Sequence, residues 1–317
     1  MRDSIAVSSF VEEWLGRTDL ASLIDNLDGN GNQLLDPTTP LAIRLQSLDS
    51  FSDRWDTRGG KERNEATELP LTVSQSERVI EAADDLGMRG VTAPTRDHYD
   101  HVLVLGGLIR ACVARPRWAA HLVENGLSVG SVTSLGGHRE LRGDELPLAQ
   151  AFGMEDARDE FEALDCGTRA AFSLSEPDAV SGETSDEVGA SWTMHQYQPT
   201  PDLRINVAAA PSSEPGIRRA NTADTYDWFA RSAAHLDRTD SVLCVTTSIY
   251  VPAQHAAALQ MLQLPFGSHV ETIGFEPGMA DASLTQEFTA TKYLLEIRSA
   301  VRAFRRLLEA SETSVRQ

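Results

Sequence analysis

The chain has 317 residues, 41% of them hydrophobic, and 28 basic against 47 acidic side chains give a net charge of -19. That length admits one large domain or two modest ones with a full core, and the acidic excess opposes both a phosphate backbone and an anionic membrane surface. Cys112, Cys166 and Cys244 are the only cysteines and are widely spaced, which argues against a disulfide framework or a zinc site. The opening MRDSIAVSSFVEEWLG lacks the basic-then-apolar order of a signal peptide, and no apolar run reaches the length of a membrane span, so a cytoplasmic protein is expected.

Residues 1–97 read as a helical, loop-rich extension, with Val7, Phe10, Val11, Trp14 and Leu15 at helical spacing. The segment LDGNGNQLLD spaces Asp28, Asn30 and Asn32 like a calcium loop. Counted from Asn26, however, its twelfth position is Pro37 instead of a bidentate Glu, and a turn is the reading. Residues 52–72 are charged and predict a surface loop, and 74–88 predict a helix ending near Gly87.

Residues 98–317 read as an α/β domain with an insert at about 146–200. Strands are predicted at 101–107, 128–137, 203–211, 241–248 and 269–275, with helices over Pro116–Asn125, Asn221–His235, Ala253–Leu264 and 285–310 between and after them. Pro116 is placed in the first turn of its helix. Alternating strands and helices predict a doubly wound, mostly parallel five-stranded sheet of Rossmann-like type. The runs VLVL and VLCV are apolar at successive positions, as strands covered on both faces are. Residues 176–191, poor in large apolar groups, predict a mobile loop, while SWTMHQY after it fits an extra strand or a hairpin arm.

Polar and glycine-rich clusters follow four of the five strands. They are Gly106-Gly107 with Arg110 and Arg115, Gly136-Gly137-His138-Arg139 with Glu145 beyond, Arg218-Arg219 with Asn221, Thr222 and Asp224, and Thr246-Thr247-Ser248 with Tyr250. In an open parallel sheet the ligand crevice lies outside the strand C-termini. Diglycines admit a ligand to the backbone, and arginines offer forked donors to phosphate or carboxylate. A small anionic ligand is therefore expected at Gly106, Gly107, Arg110, Arg115, Gly136, Gly137, Arg139, Arg219, Asn221, Thr222, Thr247, Ser248 and Tyr250. His138, Glu145 and Asp224 are the candidates for proton transfer. Each feature also has a plainer role: tight turns for the diglycines, a helix cap for Asn221 and Asp224. Cys244, in mid-strand, reads as an inert buried thiol.

The usual signatures of dinucleotide, P-loop, serine-hydrolase and zinc-hydrolase chemistry are absent. The order of HVLVLGG, the Arg115–Gly126 helix, SLGG, RRANTADTY and LCVTTSIYVPAQ resembles the YdcF/SanA/ElyC-like family over about residues 98–275. Val251 and Gln254 stand where that family has His and Arg, and Asp224 and Thr225 where it has Glu and Asn. The resemblance implies a Rossmann-like fold and, through a cytosolic branch, S-adenosylmethionine or a nucleotide-like compound as ligand.

Three functions fit these features. One is a transferase or hydrolase acting on a phosphorylated or adenosyl compound. The second is a non-catalytic ligand sensor, and the third is a homodimeric interaction protein with the last helix as its seam. No nucleic-acid or membrane partner is expected.

Overall fold

A computed structural model of the chain describes residues 2–59 and 66–316. The part of the expected 52–72 loop at 60–65 lies outside them. The helices α1 (Arg2–Leu15), α2 (Thr18–Asn26), α3 (Gly31–Leu34), α4 (Leu41–Ser52) and α5 (Val73–Asp85) come first. Then follow β1 (His98–Leu105), α6 (Ile109–Glu124), β2 (Ser128–Gly136), α7 (Glu145–Ala151), α8 (Glu160–Phe172), β3 (Ala179–Glu183), β4 (Trp192–Thr200) and β5 (Leu203–Ala209). The remainder is α9 (Thr222–Trp228), β6 (Ser241–Thr247), α10 (Val251–Ala258), α11 (Leu264–Phe266), β7 (His269–Phe275), α12 (Pro277–Ala280) and α13 (Ala290–Arg316).

These elements form two compact units. Met1–Gly90, Ser248–Gln260 and Glu287–Gln317 make the first; Val91–Thr247 and Met261–Gln286 make the second. In the first, α13 packs on α1, α4, α5 and α10. Its Leu294, Ile297, Val301, Phe304 and Leu308 are all buried there. The last helix thus packs this face within the chain. The rings of Trp14 and Phe304 meet edge-on at 4.9 Å. The LDGNGN segment is a turn: Asp28 adopts φ +60, and the Asn30 side chain accepts from the Gln33 N–H to cap α3.

The second unit is built on one sheet in the order β3-β4-β5-β2-β1-β6-β7. Strands β5, β2, β1, β6 and β7 run parallel, and they are the strands the alternating pattern predicts. The sheet nonetheless has seven strands among the described residues, not five. The interrupting segment supplies β3 and β4, which pair antiparallel with each other and with β5. SWTMHQY is the hairpin arm β4. The expected mobile loop 176–191 is the rest of that hairpin, with 179–183 in β3. The turn beyond is held by Ser212 donating its N–H to the Gly189 carbonyl (2.7 Å) and Gly216 donating to Val188 (2.8 Å). Backbone hydrogen bonds supply there the order that apolar packing does not. Every residue of β6 and Val102–Leu105 of β1 are buried, as their unbroken apolar runs require.

The helix around Pro116 starts seven residues earlier than expected, at Ile109, and Pro116 lies inside it. Proline has no N–H for the carbonyl four residues back, which is that of Cys112. Glycine 167 of α8 lies against this same carbonyl, where a Cβ would overlap the oxygen. The break in one helix's ladder is therefore also a place where its neighbour's backbone comes against it.

In an exposed helix, replacing Gly by Ala gains about 1 kcal/mol of propensity. At Gly167 the backbone overlap reverses the sign, because overpacking costs about 1–3 kcal/mol or more. Gly167→Ala should lower the urea midpoint of unfolding; a midpoint equal to or above the parent's would show that α6 and α8 do not touch there.

Candidate functional site

Because β1 and β2 are neighbours, their diglycines stand side by side at the C-terminal edge. Gly106 donates its N–H to the Leu135 carbonyl at 2.7 Å. A Cβ on Gly106 would overlap the Glu160 carboxylate, and one on Gly136 would come within 3.4 Å of it. The glycines thus let a carboxylate from the first turn of α8 rest on two strand ends.

Arg139 closes over this carboxylate. Its Nε donates to Glu160 Oε2 at 3.1 Å. Its Nη1 and Nη2 grip both Glu145 oxygens at 2.7 and 2.8 Å, and Nη2 also donates to the Gly107 carbonyl at 3.2 Å. Burial raises the Glu160 carboxyl above its ordinary range, against the pull of Arg139, Arg219 and Arg115. Burial alone would lower Arg139, but Glu145 and Glu160 outweigh it and hold the guanidinium charged. Arg115, buried in α6, spans β1 and β6: Nη1 donates to the Leu105 and Gly106 carbonyls at 2.7 and 2.5 Å, and Nε to Thr247 Oγ1 at 3.3 Å.

Beyond β5, Asn221 caps α9, accepting from the Ala223 and Asp224 N–H groups, while Asp224 accepts from the Asn221 N–H in a reciprocal box. Thr222 opens that helix. Asp224 also pairs with Arg218 and accepts from the Ser213 N–H. Burial would raise this carboxyl, but the bonds from Arg218, Ser213 and Asn221 prevail and hold it at about 2. Arg110 is turned to the Ser283 carbonyl at 3.2 Å. Ser248 and Tyr250 belong to the first unit.

Two of the arginines at the strand ends are paired with carboxylates: Arg139 with Glu145 and Glu160, and Arg218 with Glu214 and Asp224. Two of the carboxylates at this edge, Glu160 and Asp159, come from a helix start inside the insert at about 146–200. The D-x-x-E spacing of Asp159 and Glu162 is a capping signal that would have marked it; Asp159 accepts from the Glu162 N–H. His138 lies within 2.7 Å of Asp159 and 3.1 Å of Thr193. Nearby, His195 and the Tyr197 hydroxyl both meet Asp165, at 3.1 and 2.7 Å. Phe161 stands between the two imidazoles, 5.5 Å from His138 and 4.9 Å from His195.

Cys112 and Cys244 are buried. Burial pushes the Cys244 thiol up to about 12 and Cys112 higher still, so neither is a thiolate nucleophile at neutral pH. No cluster of three or more metal-ligating side chains occurs among the described residues, and no helix among them is long and apolar enough to cross a membrane. An open depression of about 530 Å³ at the opposite end of β6 and β7 is lined by Leu236–Thr239, Pro265 and Phe266.

Residues 2–87 match the family described as Rv3785 N-terminal domain. The chain is 33% identical over 337 residues to "Uncharacterized protein Rv3785" of Mycobacterium tuberculosis (strain ATCC 25618 / H37Rv), covering 98% of this chain and 92% of that protein. "Uncharacterized protein Mb3814" of Mycobacterium bovis matches with the same identity and coverage. No solved structure matches the chain. These matches overturn the resemblance to the YdcF/SanA/ElyC-like family, and support neither S-adenosylmethionine nor a nucleotide-like ligand. The pieces that carried it have a packing account in this chain: strands covered on both faces are apolar runs, and Gly106 and Gly136 admit the Glu160 carboxylate to the strand ends.

Asp224 is held below its ordinary carboxyl value, so its contribution to stability is complete above about pH 4 and is lost as pH falls through about 2. Asp224→Asn should cost about 1–3 kcal/mol at neutral pH and flatten the acid limb of the stability curve between those values. An unchanged acid limb would show that the pair with Arg218 is not formed.

Proposed function

The chain belongs to the Rv3785 family, and we propose that it binds a small phosphorylated or carboxylated metabolite at the C-terminal edge of its parallel strands. The observation that carries this reading is the pair of guanidinium groups at the diglycine edge: Arg139 clasps the Glu160 carboxylate that lies on Gly106 and Gly136, and Arg115 bonds the Leu105 and Gly106 carbonyls beside it. It occurs beside β1, where the strand order turns back from β5-β2 toward β6-β7. Ligand crevices of open α/β sheets lie at such reversals. Guanidinium groups already oriented by carboxylates and carbonyls lose little freedom when an anion joins them.

The approach is over Gly137. No heavy atom lies within 4 Å of where its Cβ would stand. The neighbouring glycines have no such room, so Gly137 is the point at which a side chain blocks the edge without disturbing what lies beneath.

Thermal unfolding in the presence of phosphorylated and carboxylated metabolites checks the reading. A ligand at 100 times its dissociation constant stabilises by about 2.7 kcal/mol. Gly137→Leu should melt with the parent protein, within about 0.5 kcal/mol, and lose that stabilisation. Binding that survives Gly137→Leu, or no response to any anionic compound, would remove this edge as the ligand site.

A further inference from the structure

A hydroxyl and a carboxylate meet the two ring nitrogens of one imidazole beside that edge. His138 Nδ1 is 2.7 Å from Asp159 Oδ2, and His138 Nε2 is 3.1 Å from Thr193 Oγ1. We propose that Thr193, His138 and Asp159 form a nucleophilic triad that cleaves carboxylic esters. Nucleophile, base and orienting group stand within hydrogen-bond reach in the order that acyl transfer uses.

Each member is held by a different element. The second oxygen of Asp159, Oδ1, accepts from the Glu162 N–H at 2.8 Å as the cap of α8, so the carboxylate cannot swing away from the imidazole. The loop bearing His138 is tied to the chain around Asp159 from both sides: Glu160 donates its N–H to the Arg139 carbonyl and Leu141 donates to Arg158, both at 2.9 Å. Thr193 is fixed by the sheet, opposite Ala209 of β5 and Gly182 of β3. Phe161 supports the imidazole from the side.

The tautomer follows from the partners. Asp159 accepts from Nδ1–H, which leaves the Nε2 lone pair facing the Thr193 hydroxyl as a proton acceptor. The His138 side chain is 32% exposed, and the space over Gly137 is open, so an ester can reach the pair.

The chemistry balances with water as the second reactant. Thr193 Oγ1 bonds to the acyl carbon while its proton passes to His138 Nε2. The tetrahedral adduct expels the alcohol, which leaves with that proton, and acyl-threonine remains. Water then attacks the acyl carbon, giving a proton to Nε2; collapse returns that proton to Thr193 and frees the carboxylic acid. Asp159 touches no substrate atom and acts as a positioning residue, fixing the ring and stabilising the imidazolium.

The inference is independent of anion binding, because an uncharged probe tests it. The full chain is treated with an uncharged alkyl fluorophosphonate, which loses fluoride to an activated hydroxyl, and the adduct is located by peptide mass mapping. Turnover of p-nitrophenyl acetate is followed in parallel. The adduct should fall on Thr193, and Thr193→Ser should keep both labelling and turnover. Thr193→Ala should abolish both, and His138→Ala should slow both by about 10²–10⁴-fold. Asp159→Asn separates positioning from structure: asparagine still caps a helix, so the melting temperature should hold while labelling slows by a similar factor. An adduct elsewhere, no adduct on the parent protein, or turnover that Thr193→Ala leaves intact would overturn the triad. Labelling untouched by Asp159→Asn would remove Asp159 from it.

Discussion

The C-terminal edge of the sheet depends on one guanidinium. Arg139 is gripped by Glu145 from α7 and Glu160 from α8, and it reaches the carbonyl of Gly107 beyond β1. A largely buried charge such as this is tolerated only when its partners are complete. Removing Arg139 would leave both carboxylates desolvated and without their guanidinium. The start of α8, the β2 exit loop and the two diglycines are therefore placed together, and a change to one is felt by the rest.

The clasp in turn needs α8 close to the sheet, and that closeness rests on α6. Pro116 leaves the Cys112 carbonyl without its helical donor, and Gly167 removes the side chain that would keep the two backbones apart. With α8 seated there, its first turn brings Asp159 and Glu160 to the strand ends, and its second brings Asp165 against His195 and Tyr197. A packing feature in the middle of two helices thus sets the position of charged groups at their ends. Reach falls steeply with distance for hydrogen bonds, so a shift of about an ångström in α8 would open the clasp and the Asp159–His138 contact together.

Charge at this edge is arranged against the overall balance of the molecule. A net charge of -19 repels anions at long range, yet guanidinium groups are gathered where the backbone is barest. At salt concentrations near physiological the Debye length is about 8 Å, so distant carboxylates are screened while Arg115 and Arg139 act locally. Arg139 meets carboxylates already on the protein and Arg115 meets carbonyls, so specificity toward a ligand would come from geometry as much as from charge.

Much of the fold was legible in the order of residues. Unbroken apolar runs such as VLVL and VLCV mark strands covered on both faces, and their alternation with helices implied the parallel sheet; the diglycines and Arg139 were visible as features of strand ends. These are local signals, carried by periodicity and turn chemistry within a few residues. What was not legible depends on contacts between distant segments. The strand β3, whose partner β4 was anticipated as a hairpin arm, has too few apolar side chains to announce itself and is ordered by backbone pairing. The helix α6 runs through a proline that reads as a start, because the carbonyl it frees is covered by Gly167, 51 positions from Pro116 along the chain. Glu160 stands 21 residues from Arg139 and Thr193 stands 55 from His138. The sequence by itself determined which segments could be strands or helices and where the strand ends fell. Only the tertiary structure decided which carboxylates and hydroxyls would meet the arginine and the histidine, since a hydrogen bond is set by positions in space that no spacing along the chain encodes.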